Sequence, residues 1–474
     1  MTTEEFRKHA HSLVDWMTNY LENVEDYPVL SSVKPGEIKA QFPKTYSEQS
    51  EDFSKIFKDF EDKIMPGITH WESPNFFAYF PASKSKASVL GEMLMSVLGT
   101  QGMVWLTSPA ATELEDRMME WMRDLLGLLK DWTGSIQDTA STGTLNALIT
   151  AREKASNFQI NENGFFRMPK YRIYASEQAH SSIDKNVKIA GFGSKNLVKI
   201  PVDEHFAMIP EKLEEKIQKD IDSGYEPLLV LGALGTTGTT AVDPLEEIGA
   251  IAKRYHLWFH VDAAYSGAAL ICPEHRWMSK GLELADSMVF NPHKWMFVNF
   301  DCSLYYVKEP DLLKQSYSIT PEYLKTDADE EVNNYRDWHI QLGRRFRALK
   351  LWFVLREFGA KKLRTIINNH IEWAKCLEKE IKKSADFEML APVPVNLLCF
   401  RFNDGRMNEE DLNKFNEQLL KNVNATGKIF ITHTKLNGKY TLRLVGGHPE
   451  LTKGHLERAW GLIQEMAHKI EAKF

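Results

Sequence analysis

Along the middle of the chain, short apolar runs alternate with stretches of helical periodicity, and no other feature narrows the fold as far. The runs Arg172–Ala175, Leu197–Ile200, Leu228–Leu231, Leu257–Val261, Ser287–Phe290 and Ser303–Val307 are brief and rich in aliphatic and aromatic residues, as buried strands are. Around them, Leu145–Ser156, Ser181–Ala190, Ile209–Ser223, Pro244–Tyr255 and Arg345–Glu357 repeat apolar residues at helical spacing. Ser108 followed by Pro109 marks the start of a further helix over 109–127. This alternation predicts an α/β fold, a mostly parallel sheet with helices on both faces. Such sheets bind ligands at the carboxyl ends of their strands.

The flanks read differently. Phe6, Leu13, Trp16, Met17, Tyr20 and Leu21 fall at helical spacing, and Pro28, Pro35 and Pro43 punctuate the residues after them. An arm of this kind has little core of its own, so it is expected to pack on something else, a second subunit included. Residues 66–82 are rich in aromatics and prolines, which suits either a buried connecting loop or the wall of a pocket for aromatic rings. Near the end, Asn396–Phe402 and Tyr440–Val445 read as strands and Lys453–Ala472 as a helix. The predicted organisation is an N-terminal arm over 1–85, a large α/β domain over 86–360 and a small C-terminal α+β domain over 361–474.

Composition excludes several classes. The net charge of −7 argues against nonspecific nucleic-acid binding. Cys272, Cys302, Cys376 and Cys399 form no CxxC pair, so neither a structural zinc site nor a disulfide framework is expected, and the thiols read as reduced. The early charges of the N-terminus do not suit a signal peptide, and no apolar stretch reaches membrane-spanning length. A cytoplasmic protein is the expectation.

The residues that carry chemistry fall just past strand ends. Lys294, in Asn291-Pro-His-Lys-Trp295, comes after the run ending at Phe290 and has Trp295, Met296 and Phe297 beside it. Desolvation there would lower its pKa and give a nucleophilic amine, able to form a Schiff base with an aldehyde. Asp262 ends a run that is apolar on both faces, so its carboxylate needs a partner: a helix cap, an ion pair, or a protonated pyridine nitrogen. Thr139-Ala-Ser-Thr-Gly-Thr144 opens a helix with hydroxyls and backbone N–H groups suited to a phosphate. Leu234-Gly-Thr-Thr-Gly238 and the loop holding His180 would emerge at the same sheet edge.

Taken together, these residues resemble the group II pyridoxal-phosphate (PLP) decarboxylases of the fold type I, aspartate-aminotransferase-like superfamily, and most closely the aromatic-L-amino-acid decarboxylases. The segments that carry the resemblance are His70–Pro81, Ser108–Glu115, His260–Gly267, Asn291–Trp295 with Asp301–Ser303, and Leu342–Lys350, together with the separation of Asp262 from Lys294. It implies that Lys294 would carry PLP as a Schiff base and that Asp262 would keep the pyridine nitrogen protonated. Ala264 and His180 would flank the ring, and Ala140, Ser141, Asn291 and His293 would hold the phosphate end. Thr237 would support Asp262 or the ring hydroxyl. Trp71, Tyr79, Phe80, Pro81, Ala82 and His180 would line the substrate pocket, with Gln101 and Met103 reaching it from the partner of a homodimer. Tyr335 would be the loop tyrosine that protonates the substrate carbon, and the polar stretch Lys325–Asn334 before it reads as a lid.

The implied activity is PLP-dependent decarboxylation of aromatic L-amino acids to arylalkylamines. Gln101 and Met103 stand where the animal enzymes carry apolar or aromatic residues, Ala82 replaces a hydroxyl residue, and Thr142 stands where many relatives have Glu, so the ring preference stays open. The alternatives are an aromatic aldehyde synthase, which consumes oxygen and releases aldehyde, ammonia and hydrogen peroxide, and a decarboxylase of a non-aromatic amino acid.

Overall fold

The computed structural model of the chain describes residues 1–319 and 331–472. Seven strands form the larger sheet: β1 (Thr133–Gln137), β2 (Tyr171–Ser176), β3 (Leu197–Ile200), β4 (Glu226–Ala233), β5 (Trp258–Asp262), β6 (Ser287–Phe290) and β7 (Ser303–Val307). Their order is β1-β7-β6-β5-β4-β2-β3. The pairs from β6 through β3 are parallel, and β7 runs antiparallel between β1 and β6. Every strand except β7 therefore points the same way. The carboxyl ends of β1, β2, β4, β5 and β6 share one edge with the start of β7.

Burial explains the continuous apolar runs. All of β6 and β7 and most of β5 are buried, which requires cover on both faces of the sheet. β1 escapes the sequence reading because its sequence, Thr-Gly-Ser-Ile-Gln, lacks an apolar run. Gly134 is needed there: a Cβ on it would lie 1.9 Å from the Tyr305 carbonyl oxygen of neighbouring β7. The helix expected from Leu145 begins earlier and spans Ala140–Ser156. A Cβ on Gly143 would sit 2.8 Å from Val289 Cγ2, so the first turns of this helix lie close against β6.

The chain divides into two compact units, Ala82–Lys375 with Ala391–Leu398, and Met1–Pro81 with Cys376–Leu390 and Cys399–Phe474. The larger sheet belongs to the first of these. A smaller sheet of β8 (Phe387–Met389), β9 (Leu397–Phe402), β10 (Thr432–Leu436) and β11 (Lys439–Val445) has the order β10-β11-β9-β8. In the unit that contains the N-terminus, the Phe77 N–H donates to Phe430 O (2.9 Å) and the Val445 N–H to Phe77 O (3.0 Å). These bonds stitch the early segment to the C-terminal strands. Helix Thr3–Glu22 starts with a capping box of Thr2 and Glu5 but buries none of its residues. It meets the rest of its unit through Trp16, edge-on to Phe57 and Phe60, and through Tyr20, whose hydroxyl lies 2.8 Å from His70 Nδ1. Among the described residues, no helix is long and apolar enough to cross a membrane.

Candidate active site

The ends of β5 and β6 set the centre of the site. The Ala263 N–H donates to Val289 O (2.9 Å) and the Asn291 N–H to Ala264 O (3.1 Å), extending the pairing of these strands past their last residues. Asp262 is held from two directions. Its carbonyl accepts the Leu234 N–H, and its Oδ1 accepts the Ala264 N–H at 3.0 Å. The strand then turns, with Ala264 buried beside the carboxylate.

After β6, Asn291 starts the single helical turn Pro292–Trp295, closed by the Lys294 N–H on Asn291 O (3.0 Å). Ser303, at the start of β7, donates its hydroxyl to Asn291 Oδ1 at 2.6 Å and fixes that amide. Burial pushes the Lys294 ammonium below the usual lysine range, while attraction to Asp262 opposes the shift. The result is an amine nearer its nucleophilic form, with a carboxylate close enough to act on it.

His293 is clamped from both sides. Its backbone N–H donates to Cys302 O, and its Nδ1 accepts the Cys302 N–H at 2.9 Å. A ring that accepts at Nδ1 carries its proton on Nε2 when neutral. Burial, reinforced by Lys294, pushes its pKa down to about 3, so the ring is neutral at cellular pH.

The helix Ala140–Ser156 presents its N-terminus to the same edge. Thr139 caps it in an extended conformation without a side-chain bond, so the cap residue does not take the first-turn N–H groups. Ser141 is steadied by Asn186, whose amide donates to its carbonyl at 2.7 Å. Thr142 comes next in the same turn, and Thr144 Oγ1 lies 3.4 Å from His260 Nε2. His260 gained no role from sequence alone. It sits two residues before Asp262, on the same face of β5, fully buried, with Nδ1 2.9 Å from Ser287 Oγ. Burial lowers its pKa to about 4, so it links the acid strand to the helix as a neutral ring. The signal that could have found it is the spacing of two from Asp262.

His180 lies after β2 and before helix Ser182–Ile189. The Ser182 N–H donates to its Nδ1 at 3.1 Å, which leaves the proton of the neutral ring on Nε2. Its pKa is lowered by desolvation, raised by Asp262 and lowered by Lys294, so the ring responds to both site groups. Thr237 lies in the turn after β4, closed by the bridge between Leu234 and Val242. Within this one unit, Ala140, Ser141, His180, Thr237, Asp262, Ala264, Asn291, His293 and Lys294 thus come from strand ends that share an edge.

The remaining expected residues divide. Ala82 begins the segment in which the Ser85 N–H donates to Phe297 O (2.8 Å), three residues past Lys294. Gln101 and Met103 lie in a stretch tied to 334–344, with the Gly102 N–H on Arg344 O and the Arg336 N–H on Met103 O. Trp71, Tyr79, Phe80 and Pro81 belong to the other unit. There Trp71 stacks on Phe76 (4.3 Å) and on Tyr79 (5.8 Å, 12°), and the Arg443 guanidinium lies over Phe80.

Tyr335 departs from the expectation of an open loop phenol. Its ring is 1% exposed, packed in the main core with Trp338, and its hydroxyl donates to Asp116 Oδ1 at 2.5 Å. Burial and the Asp116 carboxylate hold its pKa well above the ordinary phenol value. In this arrangement the phenol proton is directed at Asp116. Of the lid expected over 325–334, residues 325–330 lie outside the described residues.

The chemistry of this donor set fits PLP. An amine of lowered pKa suits the aldehyde carbon, a carboxylate suits a protonated ring nitrogen, and a helix N-terminus with hydroxyls suits a phosphate.

The family model described as the pyridoxal-dependent decarboxylase conserved domain matches residues 35–403. Tryptophan decarboxylase 2 of Oryza sativa subsp. japonica is 41% identical over 100% of this chain and 96% of its own. The phenylacetaldehyde synthase of Arabidopsis thaliana is 42% identical over 98% of this chain and 96% of its own. The crystal structure of Oryza sativa TDC with PLP and tryptamine superposes with a TM-score of 0.96 at 35% identity, covering 99% of both chains. A donor set suited to PLP and likeness along the full length lead to one assignment: the chain belongs to the pyridoxal-dependent decarboxylases.

Proposed function

We propose that this enzyme releases the α-carboxylate of aromatic L-amino acids as carbon dioxide and returns the arylalkylamine. The observation that carries the reading is the placement of Lys294 and Asp262 at adjacent strand ends, each shifting the titration of His180. Bound here, PLP supplies an electron sink for the pair left when carbon dioxide departs. Lys294 would hold the aldehyde carbon of the cofactor through its amine. Asp262 holds a proton on the ring nitrogen. Ala264 and His180 would hold the ring, and Ala140, Ser141, Asn291 and His293 would hold the phosphate end. Thr237 supports Asp262. Ala82 and His180 would receive the aromatic side chain, together with Gln101 and Met103 of a second subunit. The likeness to a tryptophan decarboxylase and to TDC solved with tryptamine supports an aromatic substrate. The setting is the cytoplasm, which suits cysteines that form no disulfide among the described residues.

A second reading, the oxygen-consuming aldehyde synthase, is favoured by the 42% identity to a phenylacetaldehyde synthase. One experiment separates the two. The purified holoenzyme is given Phe, Tyr, Trp, Dopa and 5-hydroxytryptophan, and amine, aldehyde and peroxide are measured. Amine without peroxide is expected; stoichiometric peroxide overturns simple decarboxylation, and no product from any of the five overturns both readings. The same assay on Tyr335→Phe tests that phenol as the proton donor. Tyr335→Phe is expected to keep its product and lose about 2 kcal/mol of stability with its buried bond. Loss of amine formation in a folded Tyr335→Phe would return the role to that phenol.

The working unit is a homodimer. Helix Lys86–Leu98 leaves Leu90, Leu94 and Val97 exposed in a row, and helix Thr3–Glu22 leaves Phe6 and Val14 exposed. Light scattering is expected to give about twice the 54.5 kDa chain mass. A fully active species of monomer mass overturns this.

A further inference from the structure

Beyond Ala264 and Asn291, where main-chain bonding between the ends of β5 and β6 stops, the two chains are joined by rings. Tyr265, three residues after Asp262, lies parallel to Trp295, the residue after Lys294, with centroids 5.1 Å apart and planes at 7°. Both rings are essentially removed from solvent. Each is fixed at its far end. The Tyr265 hydroxyl donates to Asn396 Oδ1 (3.1 Å) and accepts from Asn396 Nδ2 (2.8 Å). The Trp295 indole N–H donates to His370 Nδ1 at 3.0 Å, and the imidazole lies nearly parallel to the indole at 6.3 Å. The stack is thus braced by the Arg347–Lys383 helical stretch on one side and by the strand-leading segment 391–398 on the other. None of these four side chains belongs to the set that holds PLP.

We infer that the Tyr265–Trp295 stack sets the separation between the Asp262 carboxylate and the Lys294 amine, and that both aromatics are positioning residues for this pair. The inference deepens the proposed function and rests on its assignment of Lys294 and Asp262 to the cofactor. Asp262 is followed by two small alanines, Ala263 and Ala264, before Tyr265, and Lys294 is directly bonded to Trp295. A lateral shift of either ring therefore moves its neighbour. Parallel, close-packed rings have few alternative arrangements, which a flexible aliphatic pair would not share. Both rings are removed from solvent, and desolvation is the leading cause of the lowered Lys294 pKa.

The test uses full-length enzyme with Tyr265→Leu, Trp295→Leu, both together, and the double variant Tyr265→Phe/Trp295→Phe. The last keeps two stackable rings and removes both anchors. Three readouts are taken: the dissociation constant of PLP from titration of apo-enzyme, kcat and KM on an aromatic amino acid, and the pH midpoint of the visible absorbance of bound PLP. Misplacement of reacting groups by about 1 Å costs up to about 100-fold, so each leucine variant is expected to lose about 10- to 100-fold in kcat with KM little changed. PLP should dissociate about tenfold more readily, and the pH midpoint should move, because the surroundings of the amine change. The double leucine variant should be no worse than about threefold beyond its poorer parent, since both changes break one stack. The double phenylalanine variant should keep the wild-type midpoint. Folded leucine variants with wild-type kcat and midpoint overturn the inference, as does a double phenylalanine variant with a displaced midpoint; the latter decides the matter even if leucine prevents folding. Persistence of the pH-dependent band in Lys294→Ala would instead overturn the cofactor assignment beneath it.

Discussion

Replacing Lys294 with alanine is expected to lower turnover by about 10⁴-fold or more, a barrier increase of about 5 kcal/mol. The side chain has two tasks, anchoring the cofactor aldehyde and freeing the product, and no neighbour can take them over. His293, the adjacent base, has its Nδ1 taken up by the Cys302 N–H. Alanine should leave the fold intact, because the turn at 294 is closed by the backbone bond of the Lys294 N–H to Asn291 O, which does not need the amine. The folded state sheds a cation that burial penalises and loses its attraction to Asp262, two opposed effects, so the melting temperature of the apo-protein should change little. PLP should still bind through the helix N-terminus and His293, weakly and without a covalent link, so gel filtration should strip it from the variant and not from the wild type. A small primary amine added to the assay should restore part of the turnover, which a structural defect would not allow. Turnover within about tenfold of wild type would contradict the assignment.

The legible part of this molecule is the part governed by local pattern. β6 and β7 occupy the residues read from sequence because their runs are buried on both faces, and only a doubly covered sheet accommodates such runs. Once the strands and their order of alternation are in hand, the carboxyl ends are determined, and with them Asp262, Asn291, Lys294, His180 and Thr237. The hidden part depends on distant neighbours. β1 is a strand because Gly134 admits the Tyr305 carbonyl, a fact set by β7 and not by the run itself. The start of the helix at Ala140 was obscured by residues of modest helix propensity, Ser141 to Thr144, which packing on β6 overrides. The burial of Tyr335 was hidden for a related reason. Its neighbours in sequence are polar and charged, yet its ring packs in the core and its hydroxyl finds Asp116 on a helix more than two hundred residues earlier. The Tyr265–Trp295 stack was invisible for want of any local signal linking two buried rings on separate segments.

The second large effect is expected at Asp262. Asp262→Asn should lower kcat by about 10³-fold, about 4 kcal/mol, with KM changed far less. Asparagine is the informative replacement because its Oδ1 can still accept the Ala264 N–H, so the turn after β5 keeps its shape while the charge is removed. A neutral amide has no negative charge with which to hold a proton on the pyridine nitrogen, and a neutral ring accepts electrons from the breaking bond far less readily. The electrostatic consequences have a definite sign. Asp262 raises the pKa of Lys294, His180 and His260, so its loss should lower all three further. For His260 the change is silent at cellular pH, because the ring is already neutral. For Lys294 it favours the free amine, which should make cofactor attachment no slower. The variant should therefore load PLP and retain its visible absorbance while failing at carbon dioxide release, the opposite of Lys294→Ala. If the amide variant decarboxylated within about tenfold of wild type, Asp262 would be a turn-forming residue only, and the electron sink would need another source of charge.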